Sequence, residues 1–235
     1  MRLLQEEKME LSLINRISKE YINSLPIIRF DGNVVMVTSE QQAEDVLKQL
    51  MEETWVGFDT ESKPSFTKGT SYPVSLVQFS TQDTAYLFQL KKTGFSDGLV
   101  ELLESKKIKK IGVGIKADIG KLQEQRSFTA GGFVDLSELA AAKGIIQVGV
   151  RGLTARYLHH RLPKTAQKTN WARPKLTMKQ QNYAASDAWI CLKIYPLLLE
   201  DTTDYRKFNQ DENQDQQREE VKREKKPYRE ISNNY

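Results

Sequence analysis

Val56-Gly57-Phe58-Asp59-Thr60-Glu61, followed by Val74-Ser75-Leu76-Val77-Gln78-Phe79, is the stretch on which the fold turns. Both runs are short, apolar and rich in β-branched and aromatic residues, which predicts strands over Trp55 to Asp59 and Val74 to Phe79. The polar triplet Thr81-Gln82-Asp83 then leads into Ala85 to Phe88, so the last two strands are expected to pair as an antiparallel hairpin. Outward from this core the pattern alternates. Before it, Val34 to Val37 reads as a strand, and Ser39 with Gln42 as a capping box opening a helix through Val46, Leu47 and Leu50. After it come a helix from Asp97 to Glu104, a strand from Lys109 to Val113, a helix from Asp118 to Gln125 and a strand from Phe133 to Asp135. Helices from Ser137 to Lys143 and from Gly152 to His159 follow, and Thr177 with Gln180 caps a long helix through Leu199. Strands first, then strand alternating with helix, predict an α/β domain with a mixed sheet.

With 235 residues, 39% apolar and 28% charged, the chain can build one sizeable core with little room for a second. We expect a helical arm over residues 1–27, the domain over 28–199, and a charged tail over 200–235 too poor in aliphatic residues to offset its ordering entropy. A single cysteine, Cys191, excludes an internal disulfide, and one cysteine with two adjacent histidines excludes a structural zinc site of four N/S ligands. No secretory core and no membrane-spanning apolar run are visible, so a soluble, intracellular protein, cytoplasmic by default, is expected. The net charge of +4 is compatible with nucleic-acid binding without establishing it.

Three acidic sites stand out. Asp59 and Glu61, two apart on a strand, project from one face, where paired carboxylates repel unless a proton or cation lies between them. Mg²⁺ and Mn²⁺ prefer such oxygen ligands. Asp118 follows the strand and glycines of Ile111-Gly112-Val113-Gly114, near the first turn of a helix. Tyr183-Ala184-Ala185-Ser186-Asp187 puts a tyrosine and an aspartate on one helical face. Taken singly, each has a plainer account: a solvated strand end, an acid complementing a helix dipole, or a buried tyrosine beside a surface aspartate.

Together, in this order, they resemble the DEDD superfamily of 3′→5′ exonucleases, in its tyrosine-bearing branch, and most nearly the Werner-syndrome-type and RNase D-like domains. Val56 to Glu61 with Val74 to Phe79 is similar to the family's opening hairpin, Gly112 to Leu122 to its second motif, and Asn170-Trp171 with Leu176, Thr177, Gln180 and Tyr183 to Asp187 to its closing stretch. Thr169 stands where the family often has serine. The likeness spans about Ile28 to Leu199 and reads as a stand-alone nuclease domain.

The resemblance implies a ribonuclease H-like fold, a mixed sheet of five to six strands flanked by helices. It implies two divalent ions, Mg²⁺ or Mn²⁺, roughly 3.5–4 Å apart, held by Asp59, Glu61, Asp118 and Asp187. Asp59 would bridge them, Glu61 and Asp187 would hold the ion that acidifies the attacking water, and Asp118 the one beside the leaving oxygen. Tyr183 would orient the water, and nucleoside 5′-monophosphates would be released. The partner implied is DNA or RNA with a free 3′ end, with a helicase or a repair or processing protein acting in trans.

For substrate contact the candidates are Ser62, Lys63 and Lys68 beside the first motif, and Lys164, Gln167, Lys168, Asn170 and Trp171 before the last. Lysines neutralise phosphates and aromatic rings stack on bases. Trp171 divides evenly between base contact and core packing, whereas Trp55 and Trp189 are expected in the core and Cys191 as a small buried hydrophobe. Two other classes compete: a catalytically silent nucleic-acid-binding module on the same fold, and an unrelated α/β protein whose acids are surface groups.

Overall fold

The computed structural model describes residues 16–67, 69–163 and 166–208. Six strands form one mixed sheet in the order β1-β4-β3-β2-β5-β6: β1 Asn33–Val37, β2 Trp55–Ser62, β3 Val74–Ser80, β4 Thr84–Gln89, β5 Lys109–Gly112 and β6 Phe133–Asp135. β3 pairs antiparallel with β2 and β4 across the expected hairpin, whereas β1–β4, β2–β5 and β5–β6 are parallel. The Thr81 turn is closed by the Thr81 amide donating to the Thr84 carbonyl at 2.8 Å.

Alternation along β2 separates two layers of helices. Val56 and Phe58 enter a core with α2 (Glu40–Leu50), α4 (Asp97–Glu104) and α5 (Lys116–Gln125), built on Val46, Leu47, Leu50, Leu99, Leu102 and Leu122. Each aliphatic side chain buried there contributes about 1.5–3 kcal/mol. The opposite face is covered by α6 (Leu136–Ala142), α7 (Val150–Leu158) and α8 (Met178–Glu200). Between β4 and α4 lies the short α3 (Leu90–Thr93), and ahead of the sheet lies α1 (Lys19–Ser24). Among the described residues no helix is long and apolar enough to cross a membrane.

α8 opens on a complete capping box. The Gln180 amide donates to Thr177 Oγ1 at 3.3 Å, and the Thr177 amide donates to Gln180 Oε1 at 3.1 Å. At α2 only half of the expected box forms: the Gln42 amide donates to Ser39 Oγ, but Gln42 Oε1 reaches one residue further back and accepts from Thr38. Pro196 does not end α8, which runs on to Glu200.

Contacts cross both boundaries drawn from composition. Residues 1–15 and 209–235 lie outside the described residues. The rest of the arm is docked, with Gln147 bonding both the amide and the carbonyl of Ile17, and Ile22 and Leu25 packed with Ala155. Packing also continues past Leu199. Tyr205 is 1% exposed, its amide donates to the Lys143 carbonyl, and the Tyr157 and Tyr205 hydroxyls both donate to Asp201 Oδ2. A charged segment with few aliphatics is held here by one aromatic anchor and an aspartate between two tyrosines.

Trp55 corrects an expectation. As the first residue of β2 it meets α8 only edge-on, at Tyr195, and is 38% exposed. Trp189 and Cys191 are buried, as expected.

Candidate active site

The three acids on or under β2 converge. Asp59 and Glu61 share its α8-facing side, and Asp187 rises from α8 beneath them. One carboxylate oxygen from each lies within 4.8 Å of the others, a grouping able to hold a metal ion. Gly57 makes this approach possible: a Cβ there would stand 2.1 Å from the Ala188 carbonyl oxygen, and Ala184 and Ala185 on the same helix are fully buried. Small residues on both sides let α8 seat against the sheet one turn from Asp187. Directly after Glu61 the β2–β3 register shifts, a bulge that ends regular pairing where the site opens.

Burial, followed by mutual repulsion, sets the electrostatics of the cluster. Asp59 is raised well above the usual carboxylate range, first by burial and then by the charges of Asp187 and Asp118. Burial, with Asp59 and Asp187 next, pushes Glu61 up to about 10, and Lys121 opposes this only in part. Burial raises Asp187 to about 7 despite the hydrogen bond from Tyr183. Burial and the neighbouring acids also hold the Tyr183 hydroxyl well above its ordinary value, so it stays protonated.

Asp118 stands apart from the three. It sits on α5, in the other helix layer, and accepts a 2.5 Å hydrogen bond from the Thr60 hydroxyl, which faces that layer. Its charge still raises both Asp59 and Glu61. The loop leading to it is braced by Asp135, whose carboxylate accepts from the amides of Gly114, Ile115 and Ser137. Gly114 itself has φ +72°, a left-handed turn that glycine adopts without strain.

Thr60, Lys121, Asp135 and Gln78 were not singled out from the sequence. Gln78 pairs directly with Asp59 across β2–β3, so its side chain lies on the same face. It is fully buried, with no hydrogen-bond partner for either amide atom among the described residues. A polar residue at an inward position of an apolar strand was the available signal.

The substrate candidates separate. Ser62 and Lys63 line a concavity of about 320 Å³ with Glu61, Asp118 and Lys121. Lys68 and Lys164 lie outside the described residues. Gln167, Lys168 and Asn170 are exposed, and Asn170 anchors its loop, its Oδ1 accepting from Ala172 and its carbonyl from Gln180. Trp171 packs in the core with Leu76, Leu87, Leu176 and Ala184, 1% exposed, so no ring face is open to a base. On the other side of Tyr183 a smaller hollow is lined by Arg29, Pro163, Lys179 and Asn182.

Fold and site define a three-layer α/β domain carrying a carboxylate centre suited to a hard cation. A family model described as "3'-5' exonuclease" matches residues 34–202, and the chain belongs to this family. It is 33% identical over 186 residues to the bifunctional 3'-5' exonuclease/ATP-dependent helicase WRN of Mus musculus, covering 75% of this chain and 13% of that protein. It is 28% identical over 194 residues to a 3'-5' exonuclease of Arabidopsis thaliana, covering 74% of this chain and 66% of that one. The chain thus spans less than two thirds of either relative.

The EXO domain of Nibbler from Aedes aegypti superposes with a TM-score of 0.65 at 24% identity, covering 77% of this chain and 96% of that one. RNase D of Escherichia coli superposes with a TM-score of 0.65 at 22% identity, covering 71% of this chain and 44% of that one. These share the ribonuclease H-like arrangement of a mixed six-stranded sheet flanked by helices.

Proposed function

We propose that the protein is an active, metal-dependent exonuclease of the tyrosine-bearing DEDD type, removing nucleotides from the free 3′ end of DNA or RNA as nucleoside 5′-monophosphates. The observation that carries this reading is the convergence of Asp59, Glu61 and Asp187, drawn from two distant segments, with their oxygens within 4.8 Å.

The donor set fits divalent ions of the Mg²⁺ or Mn²⁺ kind: all oxygen, partly buried, and raised in pKa by burial and, at Asp59 and Glu61, by the neighbouring acids. Asp59, Glu61 and Asp187 would hold them, with Asp118 contributing from across the cleft, directly or through water. Two such ions, when bound, would activate water and neutralise charge at the phosphorus centre and leaving oxygen. Tyr183, protonated throughout, would direct the attacking water by hydrogen bonding and would not serve as its base. Lys63 and Lys121, beside Glu61 and Asp118, would steady the phosphate backbone. The silent-module alternative has less support, because all four acids and the tyrosine are retained.

The test is to incubate 5′-labelled DNA and RNA oligomers with the protein and Mg²⁺, Mn²⁺ or chelator. A metal-dependent ladder shortening from the 3′ end, with 5′-mononucleotides released, is the expected result. Internal cuts, or no cleavage with any metal, would refute it.

A further inference from the structure

Gln78 is fully buried in the middle of β3, and neither its amide oxygen nor its amide nitrogen has a hydrogen-bond partner among the described residues. The Trp171 indole Nε1 is likewise a buried donor without an acceptor among them. Leaving such groups unpaired is unfavourable, so their presence in a core calls for a use. Gln78 pairs directly with Asp59 on β2 and with Leu87 on β4, so all three project from the α8-facing side. Directly opposed residues have Cβ atoms about 4.5–5.5 Å apart, within the span of a glutamine amide. Along β3 the same face carries Leu76, which is apolar, and Ser80, whose hydroxyl donates to the Thr81 carbonyl. Asp59 is therefore the nearest open acceptor in register. Trp171 packs with Leu76 and Leu87, and Leu87 lies on the side of Gln78 away from Asp59.

We infer that Gln78 is a positioning residue of the carboxylate centre: on metal binding its Nε2 donates to the Asp59 carboxylate while its Oε1 accepts from Trp171 Nε1. One amide then satisfies both orphaned groups, as donor to the acid and acceptor from the indole. A carboxylate that gives one lone pair to a cation is still free to turn. A charge-assisted hydrogen bond to another lone pair fixes its orientation. The far end of this relay is firm, because Trp171 is wedged among Leu76, Leu87, Leu176 and Ala184. An apolar side chain of the same volume would fill this part of the core but could not hold Asp59.

This inference rests on the metal-dependent exonuclease reading, and metal binding tests it without substrate. The full chain, Gln78→Met and Gln78→Leu would each be titrated with Mn²⁺ by calorimetry and melted without metal. Both variants are expected to melt at or above the wild-type temperature, because two unpaired buried atoms are removed. Both should nevertheless bind Mn²⁺ about tenfold or more weakly. In hydrolysis kcat should fall while KM for an oligonucleotide stays unchanged. In ¹⁵N-labelled protein the Trp171 indole resonance, identified by its loss in Trp171→Phe, should move when Mg²⁺ is added to the wild type and stay in place in Gln78→Met. Unchanged Mn²⁺ affinity in either variant, or an indole resonance that Mg²⁺ does not move, would overturn the proposal. So would metal-free variants that melt lower or do not fold, since Gln78 would then have its partner before any metal arrives. Gln78-dependent Mn²⁺ binding without hydrolysis would refute the exonuclease reading alone. Hydrolysis with metal affinity untouched in the variants would refute the relay alone.

Discussion

Gly57 of β2 lies directly against Ala188 of α8, so close that a Cβ on residue 57 would stand 2.1 Å from the Ala188 carbonyl oxygen. The neighbour is backbone and cannot swing aside, so any larger residue must push α8 from the sheet. Asp187 precedes Ala188 and would move with it. Gly57→Ala is expected to lose about 1–3 kcal/mol of stability through overpacking and to weaken Mn²⁺ binding as the carboxylates separate. Urea unfolding and metal titration check both, and normal metal affinity in the variant would show that this contact does not set the site.

Asp59→Ala and Asp187→Ala should each lower hydrolysis by about a thousandfold or more, because each removes a ligand from one charge cage. Without metal, both variants should melt at or above the wild-type temperature, since each relieves like-charge repulsion in a buried site. Retained activity in either folded variant would sink the metal-site assignment.

The raised carboxylates predict how pH acts on stability. Asp187 rises from 3.8 to about 7 and Glu61 from 4.5 to about 10, so between those values the native state binds more protons than the unfolded chain. Stability without metal therefore falls as pH rises from about 4 through 7 and beyond. Mn²⁺ should restore it, and more strongly at pH 8 than at pH 5, because ligands must first lose their protons. Melting temperatures across pH, with and without Mn²⁺, measure this; a metal-induced shift independent of pH would contradict it.

Tyr183→Phe keeps the ring that faces Trp171, centroids 6.1 Å apart, and removes only the hydroxyl that bonds Asp187. The expected outcome is turnover lowered about tenfold to a thousandfold with metal affinity little changed. An unaltered rate would remove the water-directing role.

Asp135→Ala deletes an acceptor for three backbone amides at once. A loss of about 1–2 kcal/mol is expected, as for a helix cap, together with reduced turnover from a loosened approach to Asp118. Asp135→Asn, which retains one acceptor oxygen, should recover part of both. Full activity in Asp135→Ala would show that the loop is held by other contacts.

What the sequence determined by itself was local. Alternation in Val56 to Glu61 and Val74 to Phe79, the polar Thr81 turn and the Thr177 cap are set by neighbouring residues, so strands, hairpin and long helix were legible without coordinates. The facing of Asp59 and Glu61 followed from the two-residue period of a strand.

Tertiary structure decided what depends on partners far along the chain. It put Asp187 with Asp59 and Glu61 but turned Asp118 onto Thr60, buried Trp171 under β3, and tied Tyr205 to Lys143. Each outcome rests on packing and hydrogen bonds between residues dozens to more than a hundred positions apart. No local pattern encodes such contacts; they arise only when two helix layers close on one sheet.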